Sequence, residues 1–389
     1  MIRMASLRPT SRLVPERLFA APARVPPVPI CRLESIDALR GFTMFWIVGG
    51  AQLVLAIVAC FSSPLAEAFA PQAKHAAWRG FSDWDMIGPM FLFVVGTALP
   101  FAWGRRIEEA RSLRDAYWRI ARRVALLWVL GMIAQGSLLK YHWNELELYS
   151  NTLQAIAVGY AVASLALLHL GVRGQVLLTV ALVLSYWALV AAVPFGGHPA
   201  GALEREANLP LYVDQLLLAN FRRDHHFAWL LPSLGFAATV LLGSLAGQIL
   251  RSGLPQGARL RVLTAIGVSC MVAGWLWSYV LPINRHLWTS SLVLWCGGIS
   301  FLLLALFYLV IDVAGIKRWA FPFLVFGANA LLAYMLSEVY GRTISDVLVI
   351  NLASQWADPY GELLRSAAEV GLLWVLLWHM YRKGMLLRV

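Results

Sequence analysis

Residues 75–96 read HAAWRGFSDWDMIGPMFLFVVG. The stretch sets His75 ten residues before Asp85 and then runs straight into an apolar helix punctuated by Pro89 and Gly96. A titratable imidazole at the mouth of a membrane helix is the reading it invites. An ordinary histidine pKa near 6.5 lets imidazole take and return a proton near neutral pH. Ser82-Asp83-Trp84-Asp85 has the Ser-x-x-Asp spacing of a capping box, so Asp85 has a structural reading, satisfying the first amides of the helix. Its functional reading is as the group that holds one ring nitrogen of His75 while the other accepts a proton.

The rest of the chain supports a membrane setting. Of its 389 residues, 60% are hydrophobic and 14% charged, whereas charged residues make up about a quarter of a soluble domain. A span needs about 20 apolar residues, and ten segments reach that length: roughly 36–60, 84–103, 119–139, 150–169, 174–194, 227–250, 261–281, 287–312, 320–340 and 364–381. The fold expected is all-α, a polytopic bundle of about ten transmembrane helices. With the N-terminus cytoplasmic, all but nine of the 32 Lys and Arg residues fall on that side, as the positive-inside rule predicts. Both termini are therefore expected in the cytoplasm and His75 on the outer face. The net charge of +11 is then topological and calls for no nucleic acid.

Residues 1–33, rich in Arg and Pro, read as a flexible basic cytoplasmic tail, and residues 34–389 as one transmembrane domain. Cys31, Cys60, Cys270 and Cys296 lack metal or redox spacing and read as packing residues. Gly243-x-x-x-Gly247 reads as a small-residue packing face. His225-His226 is a poor metal motif, since adjacent histidines diverge and no third ligand is suitably spaced. No metal is expected. His142, His198 and His286 fall in outer loops and read as solvated.

At the start of the first helix, Ser35 is expected as N-cap and Arg40 to pair with Asp37. Arg40, with Arg105, Arg106, Arg119, Arg122 and Arg123, also lies where phosphates of a coenzyme would enter from the cytoplasm. Polar residues inside apolar spans are costly, which singles out Gln52, Asn151, Gln154, Asn284, Thr289, Asn329 and Glu338. By the assigned topology Gln154, Asn284, Trp288, Thr289 and Glu338 share the level of His75, where a polar, aromatic cavity would suit a sugar. Asn329 falls nearer the midplane, to contact an acyl arm or a neighbouring helix.

The stretch His75, Trp78, Gly80, Phe81, Asp85, Pro89, Phe91, Phe93 and Gly96 resembles a signature block of the bacterial relatives of heparan-alpha-glucosaminide N-acetyltransferase, which are multi-pass membrane acyltransferases. Ser35 to Phe42, Asn151 to Ala157, Pro282-Ile283-Asn284 with Trp288 to Ser291, and Pro322-Phe323 with Gly327 to Ala330 extend the resemblance from about residue 34 to the C-terminus. It implies an inner-membrane enzyme that moves acetyl from cytoplasmic acetyl-CoA to an amine or hydroxyl of a periplasmic sugar or glycan. His75 would be the active-site residue, acting as covalent acetyl carrier or general base, with Asp85 as its partner. Gln154 or Asn329 would support an oxyanion, and a homodimer is compatible with this picture. Two departures bear on acceptor recognition: Gly49-Gly50 is followed by Ala51 before Gln52, and the segment before the sixth helix reads His225-His226-Phe227-Ala228-Trp229. The rival expectations are a transporter of amino sugars or cell-wall fragments, and a scaffold for an envelope polysaccharide machine.

Overall fold

The structure is a computed structural model, and it describes residues 33–60, 72, 74–109, 112–140, 142, 145–222, 226–340 and 359–387. The expected basic tail, Cys31 and the His225 half of the His225-His226 pair lie outside these, as do the side chains of Arg105 and Arg106. Helices fill the described residues, joined by loops that contain two isolated β-bridges, Phe195 with His198 and Leu203 with Asn208.

The first span is built in two pieces. Helix α1 (Glu34–Phe45) passes through a wide π-type turn, Trp46–Gly50, into α2 (Ala51–Ala59). The break falls at Gly49, whose φ of 128° only glycine adopts readily. Ser35 is not the N-cap expected from the sequence: the N-cap is Leu33, two residues earlier, and the helix starts at Glu34. The cap comes instead from another helix, because Asp312 accepts the Ser35 amide at 3.3 Å.

There follow α3 (Ile87–Glu109), α4 (Leu113–Ala134), α5 (Thr152–His169), α6 (Val172–Ala192), the short α7 (Leu209–Leu218), α8 (Ser233–Arg251), α9 (Gln256–Trp277) and α10 (Ser290–Phe307). The chain closes with α11 (Phe321–Ala328), α12 (Ala330–Tyr340) and α13 (Tyr360–Arg382). All ten expected segments are helical. Eight are long and apolar enough to cross a membrane, and a ninth if α11 and α12, bent by 67°, count as one span. The tenth, α4, forms as a helix but carries Arg119, Arg122 and Arg123 within its reach, which makes it too charged to qualify by composition.

Helix α8 is the centre of the bundle, packed on α3, α5, α6 and α10. Gly96 on α3 and Gly243 and Gly247 on α8 explain how closely the first two helices approach. A Cβ at Gly243 would sit 1.9 Å from the Phe93 carbonyl oxygen, one at Gly247 2.2 Å from that of Thr97, and one at Gly96 2.0 Å from that of Val240. The small-residue face read in the sequence therefore packs backbone on backbone. At the rim, α6, α9 and α13 present Leu177, Val180, Val268, Val272, Leu276, Val375 and Leu376 outward. Long helices with apolar outer faces need lipid rather than water as solvent.

Candidate active site

The site starts with Asp85. Its carboxylate is buried at the head of α3 and is hydrogen-bonded through both oxygens. One oxygen, Oδ2, accepts the amides of Ser82 at 3.1 Å and Ala76 at 3.2 Å and the Ser82 hydroxyl at 3.1 Å, capping the turn that leads into the helix. The other, Oδ1, lies 2.8 Å from His75 Nδ1. With the carboxylate on Nδ1, that nitrogen carries the proton and Nε2 is left as the free base. The His75 side chain remains 39% exposed, against 1% for Asp85, so the imidazole is accessible and the carboxylate is not.

The loop bearing His75 is pinned to a second loop, 278–289. The Gly80 amide donates to the Ile283 carbonyl at 3.1 Å, and the Trp78 ring stacks on His286 at 5.3 Å while its indole N–H donates to the Leu203 carbonyl. The turn at 284–289 is itself tightly built. Asn284 Oδ1 accepts the Leu287 amide, Thr289 Oγ1 accepts the Asn284 amide, and the Tyr186 hydroxyl donates to the Leu287 carbonyl. Trp288 is held at φ 48°, a conformation that costs a bulky residue of order 1–3 kcal/mol and persists only where its surroundings enforce it.

These loops and the helix ends beneath them enclose a cavity of about 700 Å³. His75, Arg285 and His286 lie on its lining, with Trp84, Trp229 and Trp288 among its aromatic residues and Glu338 and Tyr334 contributed by α12. Glu338 accepts from Gln135 Nε2 at 2.9 Å. The Tyr334 hydroxyl exchanges hydrogen bonds with the Asn151 side chain. Asp214 on α7 fastens the remaining wall by accepting the amides of Trp229 and Leu230 at 2.7 and 2.9 Å.

Burial favours the neutral form of both imidazoles. Burial lowers the His75 pKa from 6.5; the Asp85 hydrogen bond opposes this and the nearby Arg285 cation adds to it. Burial, then Arg285, push His286 down to about 4. A lowered pKa means that His75 stays unprotonated to more acid pH, so any reaction using it as base should hold its rate as pH falls until below 6.5. A profile of kcat/KM against pH with its acid limb centred above 6.5 would contradict this. Asp85→Asn, which removes the group that raises the pKa, should shift the limb further down.

Comparison with characterised proteins bears on what such a base does. No protein-family model matches the chain. It is similar to heparan-alpha-glucosaminide N-acetyltransferase of Mus musculus, 25% identical over 397 residues that cover 85% of this chain and 58% of the mouse protein. Against the Homo sapiens enzyme of that name it is 25% identical over 418 residues, 90% of this chain and 59% of the human protein. The chain is a distant homologue of heparan-alpha-glucosaminide N-acetyltransferase. It spans less than two thirds of the length of these two relatives.

Within this homologue of the N-acetyltransferases, the structure brings together His75, Asp85, Trp288 and Glu338 from the residues singled out in the sequence. It engages others elsewhere. Gln154 is engaged at the start of α5, its oxygen accepting from the Ser150 and Asn151 amides and its Nε2 donating to the Leu148 carbonyl. Asn284 and Thr289 are turn-builders, buried behind the cavity wall. Asn329 sits at the break between α11 and α12 and ties down the C-terminal segment, donating to the Met385 carbonyl and accepting the Leu387 amide. In both Gln154 and Asn329 the amide oxygen and one of the two amide N–H donors are thus engaged with backbone.

On the arginine side, Arg40 pairs with Asp37 as expected and also donates to the Gly327 carbonyl at 2.8 Å. Arg123 lies over the Tyr160 ring at 4.4 Å, while Arg122 is exposed. Reading the sequence missed Arg285 altogether and misread His286, which lines the cavity instead of standing in solvent. The only signal was position: both lie within the turn between Asn284 and Trp288.

Proposed function

We propose that this chain is a membrane-embedded acetyltransferase that moves an acetyl group from acetyl-CoA to an amine or hydroxyl of a sugar or glycan. The observation that carries the reading is the 2.8 Å bond from Asp85 to His75 Nδ1, which frees Nε2 at the edge of a sugar-sized aromatic cavity. The similarity to two named N-acetyltransferases supplies the reaction class.

Two routes suit this geometry. In one, Nε2 attacks the thioester carbonyl carbon, the C–S bond breaks, CoA thiolate leaves and takes a proton from solvent, and Asp85 balances the acetyl-imidazolium. The acceptor amine then attacks that acetyl group, releasing neutral His75 and losing its own extra proton to solvent. In the other, Nε2 takes the acceptor's proton as the acceptor attacks the thioester directly, and passes it to the departing thiolate.

The orientation that accompanies this reading puts both termini in the cytoplasm of a bacterium, the His75 end of the bundle in the periplasm, and the exposed Arg122 on the side from which the donor arrives. Calorimetry with acetyl-CoA on the purified protein in detergent is the test, and saturable binding is expected. Absence of binding at any reachable concentration would sink the reading. A second reading, transport of amino sugars without covalent chemistry, is favoured by the 67° break at Asn329 next to Tyr334 and Glu338, since discontinuous helices line transporter sites. It predicts sugar uptake by proteoliposomes independent of CoA.

A further inference from the structure

The cavity holds a cation to which the described residues offer no hydrogen-bond acceptor. Arg285 lines it and is only partly exposed, yet its guanidinium makes no hydrogen bond or ion pair among the described residues. Among the described residues it lies over the face of Phe227, 5.6 Å from the ring centroid. A partly buried guanidinium without an acceptor forfeits the hydrogen bonds it had in water, and structures retain such a group when something else supplies the acceptor. Asp85, whose charge reaches Arg285, is already committed to His75, Ser82 and Ala76. Beside Arg285 stands His286, whose Nδ1 is buried and has no partner. Arg205, exposed, is close enough for its charge to act on His286.

The placement is built. The 284–289 turn that presents both side chains is fixed by Asn284, Thr289 and Tyr186, by the Ala228 amide donating to the His286 carbonyl at 3.0 Å, and by Trp288 at its positive φ. The carboxylate of Glu338 belongs to α12 and already accepts from Gln135, so it does not satisfy Arg285.

We propose that Arg285 and His286 form a subsite for an oxyanion (a carboxylate, sulfate or phosphate) carried by the acceptor sugar next to the group that meets His75. The planar guanidinium fork matches such a group in bidentate fashion, and His286 adds an imidazole nitrogen from the same turn. The acceptor is accordingly an acidic amino sugar or the acidic unit of a glycan, in place of a neutral sugar. This rests on the acetyltransferase reading for the word acceptor, but the subsite is readable by binding alone.

The experiment compares calorimetric affinities of three probes, glucosamine, muramic acid and glucosamine 6-phosphate, for the wild type, Arg285→Gln and Arg285→Lys, with acetyl-CoA as a fourth titrant. In the wild type at least one acidic probe should bind about tenfold or more tightly than glucosamine, the size of a charge-assisted bidentate contact. Arg285→Gln should erase that preference while leaving glucosamine and acetyl-CoA affinities unchanged, and Arg285→Lys should keep part of it. Equal or undetectable binding of acidic and neutral probes, or a preference that survives in Arg285→Gln, would overturn the subsite. If Arg285→Gln instead weakens acetyl-CoA alone, the donor phosphates are the occupant and the assignment to the acceptor is wrong. Should Arg285→Gln fail to fold, competition by inorganic sulfate against the acidic probe in the wild type decides, with no competition counting against the proposal. Failure of acetyl transfer with the preference intact would remove the enzymatic reading and spare the subsite.

Discussion

His75→Ala should reduce acetyl transfer by about 10³-fold, within the 10²–10⁴ range that a positioned proton-transfer group supplies, while acetyl-CoA still binds. The expectation follows from position. His75 is the residue that Asp85 orients, and it is 39% exposed at the cavity edge, so truncation removes a reactive nitrogen without opening a hole in the core. Asp85→Asn should be milder, about 10- to 100-fold, because the amide oxygen still accepts from Nδ1 but no longer balances a positive imidazole. Measured as kcat/KM beside acetyl-CoA calorimetry, the pair separates chemistry from binding. A His75→Ala enzyme at full activity would remove the histidine from the mechanism.

Gly243→Leu should yield little monodisperse protein in detergent. At Gly243 a bare Cβ would already lie 1.9 Å from the Phe93 carbonyl oxygen, where ordinary contact begins near 3.4 Å. Helices α3 and α8 would have to part by more than an ångström, and Gly96 and Gly247 would lose their contacts along the same seam. Overpacking a buried site costs about 1–3 kcal/mol when side chains can yield, but here the obstacle is backbone, which yields less. Because α3 carries Asp85 at its head, the shift would also reach the site. Gly371→Ala on α13, where an added Cβ meets nothing within 4 Å, is the control and should unfold thermally no earlier than the wild type. An equal thermal midpoint for Gly243→Leu would refute the close-packed seam.

Much of this architecture is legible in the sequence because hydrophobic length reports directly on spans, and the structure makes a helix of every one of the ten segments. The ambiguity of α4 has a physical origin: four arginines, Arg114, Arg119, Arg122 and Arg123, sit on a helix that is long enough but too charged to be assigned by composition. At the site, His75 and Asp85 were legible because a capping pattern and an imidazole occur within ten residues. Gln154, Asn284, Thr289 and Asn329 were marked for a sensible reason, that buried polar groups must be satisfied. Their partners, however, proved to be nearby backbone or, for Asn329, the chain beyond α13, which no spacing rule reveals. Arg285 and His286 stayed hidden because their orientation depends on Trp288 adopting a positive φ and on bonds from Tyr186 and Ala228, residues far away in the chain.

The most direct test of the central claim is to incubate the purified protein with acetyl-CoA labelled in the acetyl group and an amino sugar, following labelled sugar and free CoA together. Equimolar N-acetylated sugar and CoA, formed by the wild type and not by His75→Ala, is the predicted result. CoA released without acetylated sugar, or no turnover with any of glucosamine, muramic acid and glucosamine 6-phosphate, would contradict the account.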